Sequence, residues 1–382
     1  MKIILAFDSF KNCLPSPEVC RILCESMLET DPSHTIRCMP LGDGGEGTAR
    51  AVTAACGGQM FTYMVHDPLF RMTPAEWGLL PDGSAVFEMA TASGIELISR
   101  EERNPMRTTT YGTGELLKYL ACTKKIKKFC IGIGGSATVD GGVGMLQALG
   151  VKFYDKNGKL LSIPAAGEEI ARIDSCDLSE LPEEILSADL CIASDVTNPL
   201  CGETGAARVF APQKGADPAM VEELEKNLLN FGEKTVAAGI AANFTSPGDG
   251  AAGGLGFAFR SYLKARSCSG AELVLELLDF DRALQDADLV LTGEGCSDFQ
   301  TAHGKLCKIV SDHAGKAGVP VFLLSGALGE RAEELEASFD GVFALSAAPV
   351  SLDEALAAAP ANLRRMGKAI IKLAALQKLN DN

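Results

Sequence analysis

Five short stretches of the chain gather residues able to handle anions and protons. Asp8, Ser9 and Lys11 follow the apolar run "KIILAF", and Asp43, Gly44, Gly45, Glu46 and Thr48 follow "TIRCMP". Gly134, Gly135, Ser136, Thr138 and Asp140 follow "KKFCIGI", Asp195 and Asn198 follow "LCIAS", and Gly293, Glu294, Gly295, Asp298, Gln300 and Thr301 follow "ADLVLT". An Asp or Ser after a strand most often caps the next helix. Five such loops rich in glycine exceed what capping asks for, because glycine ahead of a helix lets backbone N–H groups converge on a positive helix end, which suits phosphate. The carboxylates in the same loops are of the kind that hold Mg2+ or take a proton from an alcohol. Lys11, Arg71, Arg107, Lys214 and Lys305 also lie in loops, among Gly, Pro and Thr. They offer a local positive field in a chain whose net charge is −15.

The densest stretch, "CIGIGGSATVDGG" at 130–142, surrenders almost all packing volume. Glycine in such numbers marks a backbone that turns sharply or approaches something closely. Two phosphate readings compete for it. "GIGGSA" fits the permissive G-x-G-x-x-A dinucleotide pattern, with Asp155 near the end of the following strand, although "TVDGG" delays the helix that pattern wants. A nucleoside triphosphate cradle is the alternative, and it is not of the P-loop kind, since no GxxxxGK[ST] occurs. Both stay open on the residues alone.

Other chemistries are excluded or disfavoured. The acidic balance opposes nucleic-acid or membrane-surface binding. Four histidines define no HxxxH pair and no Ser/His/Asp arrangement. The thirteen cysteines form no CxxC pair, so zinc-site spacing is absent, and thiols in that number fit a reducing, cytoplasmic setting. "MKIILAF" is too short for the apolar core of a signal peptide and reads as a first strand. No run reaches the ~18–20 apolar residues needed to cross a bilayer.

The elements that must position these loops follow from periodicity and punctuation. "KIILAFDSF", a helix opened by Ser16 as its cap and Pro17 in its first turn, "TIRCMP" and the helix after "GDGGEG" make a βαβα order that predicts a parallel sheet. "ADLVLTGEG", "VPVFLLSGA" and "DGVFALSAA" continue it as apolar strands covered on both faces. The middle carries hairpin signals at Pro81-Asp82-Gly83 and Asn157-Gly158, with a βαβ-like unit running from "KKFCIGIGG" to "VKFYD". Lys124–Lys128 read as the solvated start of a strand. Pro360 predicts a break between two C-terminal helices. The expected class is α/β with two domains: a doubly wound, Rossmann-like parallel-sheet domain from residues 1–60 plus 250–382, and an inserted mixed α/β domain over 61–249.

Taken as a set and in order, "AFDSFKN", "PLGDGGEGTA", "FEMATASGIELI", "TGELL", "GIGGSATVDGGVGMLQALG", "SDVTNPLCG", "FAPQKGA", "GAAGGLGFAF" and "ADLVLTGEGCSDFQTAHGK" resemble the bacterial type I glycerate kinases over nearly the whole chain. The resemblance implies ATP-dependent phosphorylation of D-glycerate with Mg2+, a 2-phosphoglycerate product, and a site in the cleft between two α/β domains. Phosphorylation at the 3-hydroxyl is the alternative, followed by an NAD(P)-dependent oxidoreductase. The sequence departs from the family pattern in places: Phe7 for proline, Asn12 and Phe70 for glycine, Thr197 for aspartate, and Cys296, Ser297 and Phe299 in "GEGRLDGQT", which removes an arginine at 296.

On that reading, phosphoryl transfer needs a cradle, positive charge and an oriented hydroxyl. Gly134, Gly135, Ser136 and the Thr138 hydroxyl are expected on the nucleotide phosphates, with Lys214. Asp195 and Glu294 are expected on Mg2+, directly or through water. Lys11 and Arg71 would hold the glycerate carboxylate, with Asp8, Ser9, Gly44 and Gly45 around the substrate and Asp8 beside Lys11. Asp43, then Asp298, would accept the hydroxyl proton. The partners expected are the small substrates and at most a second copy of the chain, with no nucleic acid and no membrane.

Overall fold

The computed structural model describes residues 1–42, 47–304 and 306–377, so Asp43, Gly44, Gly45, Glu46 and Lys305 lie outside the described residues. In chain order the strands are β1 (Lys2–Phe7), β2 (Thr35–Cys38), β3 (Gln59–His66), β4 (Met72–Leu79), β5 (Ala85–Glu88), β6 (Lys128–Gly132), β7 (Lys152–Tyr154), β8 (Ser175–Asp177), β9 (Asp189–Ala193), β10 (Arg266–Cys268), β11 (Leu289–Gly293), β12 (Cys296–Ser297), β13 (Val321–Ser325), β14 (Ala327–Leu328) and β15 (Gly341–Ala344).

The chain divides into two compact units, one of Met1–Asp43, Ala54–Cys56 and Ala271–Asn382, the other of Gly44–Thr53 and Gly57–Gly270. The first is built on a five-stranded sheet in the order β15-β13-β11-β1-β2. All its pairings are parallel. In β1 every side chain beyond Lys2 is buried, as a strand covered on both faces requires. The helix Ser16–Thr30 packs against the helix Leu352–Gln377, with Leu23, Met27, Leu363 and Ile370 in the shared core.

Two local expectations are corrected here. Ser16 does not cap its helix; its buried hydroxyl donates to the Leu41 carbonyl at 2.7 Å, and Pro15 occupies the cap position. Pro360 does not end a helix either, because Leu352–Gln377 runs through it. Proline leaves the carbonyl four residues back without its donor. That carbonyl, on Leu356, accepts from the Cys13 thiol at 3.4 Å, a tertiary contact that takes the place of the lost ladder bond.

The second unit holds a six-stranded mixed sheet, β10-β9-β6-β5-β4-β3. β3–β4 and β4–β5 are antiparallel, and the turn at Pro81-Asp82-Gly83 closes with Gly83 N–H on Leu80 O. β5, β6, β9 and β10 run parallel. The anticipated βαβ unit is not formed: β7 leaves the large sheet and pairs antiparallel with β8. Phe153 of β7 is thereby buried against Phe231 and Tyr262.

The joints also differ from those expected. Residues 250–270 belong with the inserted unit because Leu255, Phe257, Phe259 and Tyr262 fill its core and β10 extends its sheet. Residues 48–53 join it as well, since the amides of Gly47 and Ala49 donate to the Glu88 carboxylate at the end of β5. Among the described residues no helix is long and apolar enough to cross a membrane.

Candidate functional site

At the end of β6 the ladder continues one residue, Ile133 N–H donating to Ala193 O, and the chain then bends. Gly134 and Gly135 are exposed, and Gly135 has φ +73°, a left-handed conformation that L side chains resist. The bend is anchored on one side by Ile95 N–H to Gly135 O and by Ala137 N–H to Ser93 O. Among the described residues, the amides of Gly134, Gly135 and Ser136 donate to no protein acceptor. Three consecutive amides without an internal partner, at an exposed turn of small residues, make a concavity that suits an anion.

Several polar groups packed against the bend are buried. The Lys214 ammonium, 2% exposed, donates to Ser136 Oγ at 2.6 Å and to Thr138 O at 2.7 Å. Burial pushes its pKa down from 10.5 to about 7, against an opposite pull from the charge of Asp140. Lys214 ends the turn Pro212–Lys214, and Gly215 (φ +95°) lets that turn reach the Arg103 carbonyl, where an added Cβ would lie 2.3 Å away. Thr108 Oγ1 donates to Ala137 O at 2.9 Å.

Asp140 is wholly buried and accepts four hydrogen bonds: from the Thr110 amide (2.8 Å) and hydroxyl (2.7 Å), and from the amides of Gly142 (3.1 Å) and Gly144 (3.3 Å). Burial raises its pKa, and the four donors act against that rise. The Thr110 hydroxyl in turn accepts from Met145 N–H at 2.9 Å.

This changes part of the expectation. The positive end of the helix Val143–Leu149 is occupied by the chain's own carboxylate, so it is not the phosphate contact. The glycines on that side serve packing instead. The segment "GAAGGLG" comes against them, Gly141 N–H donates to Gly253 O at 3.0 Å, and a Cβ on Gly253 would fall 2.0 Å from Thr138 O. The Thr138 hydroxyl is 0% exposed and has no hydrogen-bond partner among the described residues, so it does not reach outward as expected. Lys214 likewise lies under the bend rather than at its surface. The roles of Asp140, Thr110 and Gly253 were missed in the sequence. An Asp three residues before a buried helix can bond that helix's first amides, and "VDGGVG" carries that signal.

Elsewhere in the same unit, Arg71 closes the turn 67–71. Its Nε donates to Asp67 at 2.7 Å and its Nη1 to Glu102 at 2.8 Å, so its charge is already shared between two carboxylates. Phe70 sits at φ +62°, where a bulky residue is an outlier, and its ring stacks on His66 (3.9 Å between centroids) and meets Tyr111 edge-on (5.4 Å). Asp195, after β9, is exposed and accepts from Gly270 N–H at 3.2 Å.

In the first unit the loops after β1, β11 and β13 come together. Asp8 N–H donates to Gly293 O, and the Asp8 carboxylate accepts from Ser9 N–H at 2.6 Å. Gly295 passes close to Lys11, a Cβ there lying 3.4 Å from its amide nitrogen, and β12 pairs with β14. Glu294 Oε1 takes the hydroxyls of Ser297 (3.1 Å) and Thr301 (2.6 Å). Asp298 caps the short helix Phe299–Ala302, accepting from Gln300 N–H at 2.9 Å. Lys11 is exposed. Asn12, at φ +61°, adopts the left-handed form, which Asn tolerates better than most residues.

Among the described residues no three His, Cys, Asp or Glu side chains group as a metal site. Mg2+ commonly takes one or two carboxylates and completes its shell with substrate phosphates and water. Asp195, exposed, and Glu294, whose two hydroxyl bonds both fall on Oε1, are chemically suited to that share.

The family model for the glycerate kinase family matches residues 3–375. A glycerate 2-kinase from Escherichia coli K12 is 39% identical over 382 residues, covering all of both chains. Glycerate kinases from Bacillus subtilis 168 (39% identical, 98% of each chain) and Halalkalibacterium halodurans (41%, 93% of each) are similarly close. A crystal structure from Salmonella typhimurium LT2, described as a glycerate kinase 2, superposes with a TM-score of 0.89 at 37% identity, covering 99% of each chain.

Proposed function

Because the chain belongs to the glycerate kinase family and is an enzyme that phosphorylates glycerate with a nucleotide substrate, we propose that it transfers the γ-phosphoryl of ATP to the 2-hydroxyl of D-glycerate, giving 2-phosphoglycerate and ADP. The observation that carries the nucleotide side is the exposed bend whose Gly134, Gly135 and Ser136 amides lack a protein acceptor. Amides already fixed by the surrounding hydrogen bonds need little reorganisation to receive phosphate oxygens, so their stabilisation is not spent on ordering the loop. The name of the full-length E. coli relative supports the 2-position over the 3-position. The dinucleotide reading is not retained, since Asp155 turns to its own loop and to Arg172.

Mg2+ would be held by Asp195 and Glu294 together with nucleotide oxygens, and it supplies charge neutralisation on the phosphates when bound. Lys11 carries the carboxylate of glycerate. Arg71 assists, its guanidinium held in orientation by Asp67 and Glu102. Ser9 and Asp8 shape the start of that loop, Gly44 and Gly45 contact the substrate, and Asp43 takes the hydroxyl proton, with Asp298 as second choice. The chain works in the cytoplasm, alone or as a pair of copies.

Phosphorus NMR of the product formed from D-glycerate and ATP·Mg2+ tests the assignment. The 2-phosphoglycerate resonance is expected. A 3-phosphoglycerate resonance would overturn the regiochemistry and leave the kinase reading intact.

A further inference from the structure

We infer that Lys214 is a positioning residue for nucleotide binding, holding the 134–138 bend from beneath and lending it positive charge without touching the nucleotide. The inference rests on the reading that phosphates lie on this bend. Its support is geometric: one buried ammonium bonds both the side chain of Ser136 and the carbonyl of Thr138, and so braces the segment whose Gly134, Gly135 and Ser136 amides have no protein acceptor among the described residues.

A lysine in this place is costly. Its burial disfavours the charge, and an apolar side chain of similar length would fill the volume without that penalty. What the ammonium returns is charge next to a turn that is otherwise neutral. The charged groups around it leave it that role. Asp140 is the group whose charge acts on Lys214, and it is already committed to four donors. On the flanking elements, Arg103 turns to Glu96 and Arg208 to Glu222.

A consequence separates this role from simple scaffolding. With its pKa lowered to about 7, Lys214 is largely neutral at pH 8 in the unliganded protein. A polyanion settling on the bend favours the charged form, so nucleotide binding draws in a proton.

Titration calorimetry of the full chain with ADP·Mg2+ at pH 8, in buffers of different ionisation enthalpy, measures that proton directly. Wild type is expected to take up between about half a proton and one. Lys214→Met is expected to take up none and to bind ADP about tenfold more weakly, with the KM for glycerate unchanged within about twofold. Equal proton uptake in the two proteins, or equal affinity, overturns the inference. Should Lys214→Met fail to fold, wild type alone decides, and no uptake from pH 7.5 to 8.5 overturns it. Gly135→Val separates the two claims, because valine resists the left-handed conformation there. Undiminished ADP affinity in Gly135→Val removes the bend as the phosphate site. Weakened affinity there beside normal binding by Lys214→Met removes only the role of the lysine.

Discussion

The loop after β6 and the loops after β1 and β11 are both built from Gly, Asp, Ser and Thr, yet they fold on different terms. After β6 the polar side chains face inward. Asp140 and Ser136 of the loop, with Thr108, Thr110 and Lys214 packed against it, are all buried and bonded to protein, while the amides of Gly134, Gly135 and Ser136 have no protein acceptor among the described residues. After β1 and β11 the side chains stay near solvent: Lys11 is exposed, and Asp8, Glu294 and Asp298 are half-buried and tied mainly by neighbouring turns and caps. On the proposed reading, the first arrangement offers phosphate a set of backbone donors already fixed by surrounding hydrogen bonds. On the same reading, the second keeps ionisable side chains available for the hydroxyl and carboxylate of the substrate. Glycine runs therefore carry two meanings in one chain, exposure at Gly134-Gly135 and close packing at Gly141 and Gly253.

If this contrast is right, damage to the buried lattice shows first in stability and damage to the solvated loops in kinetics. Asp140→Ala strands four donors in the interior and is expected to cost about 3–5 kcal/mol in urea unfolding; a loss below about 1 kcal/mol would mean the lattice is not what holds the bend. Lys214 contributes a pH dependence of known sign. Its folded pKa of about 7 lies below the ordinary 10.5, so between those values the unfolded chain binds the extra proton and stability rises with pH. The slope approaches about 1.4 kcal/mol per pH unit inside that window and vanishes below it. The difference between wild-type and Lys214→Met unfolding curves isolates it, and a flat difference from pH 7 to 10 would contradict the buried charge.

For the proposed base, Asp43→Asn is expected to lower kcat about 100-fold or more in a coupled ADP-release assay. Turnover near wild type removes Asp43 as the base and turns attention to Asp298→Asn. Lys11→Ala should raise the KM for glycerate about tenfold, the value of one charge-assisted contact. An unchanged KM leaves the clamp to Arg71. The smallest effects belong to the strained turns. Asn12→Gly should stabilise by a few tenths of a kcal/mol, since Asn already tolerates its conformation. Phe70→Gly relieves strain but forfeits the stacking on His66 and the edge contact with Tyr111, so its net change in thermal unfolding is expected to stay within about 1 kcal/mol.

Much of this was legible in the residues. Apolar runs such as "KIILAF" and "ADLVLT" could only be strands buried on both faces, and the glycine and acid loops after them are where an open parallel sheet gathers ligands. The ordered set of motifs carried the family. Other features were not legible, because they depend on partners far along the chain. Pro360 suggests a break, yet the helix continues, and the Leu356 carbonyl that proline leaves without a donor meets a thiol from the other end of the chain, that of Cys13. "VKFYD" looked like the next strand of the sheet, but Phe153 finds more apolar cover beside Phe231 and Tyr262.

By itself the sequence determined the long apolar strands, where the small residues run and which family the motifs spell, since periodicity, backbone freedom and residue chemistry are local properties; the short strands β8, β10, β12 and β14 carry no such pattern. Tertiary structure alone decided which charges lie inside. Lys214 and Ser136 stand 78 residues apart, and until they meet, nothing distinguishes a lysine in a Pro-Gly turn from a solvated one. The reason is physical: desolvation is set by the atoms that surround a group, and those atoms arrive from every part of the chain.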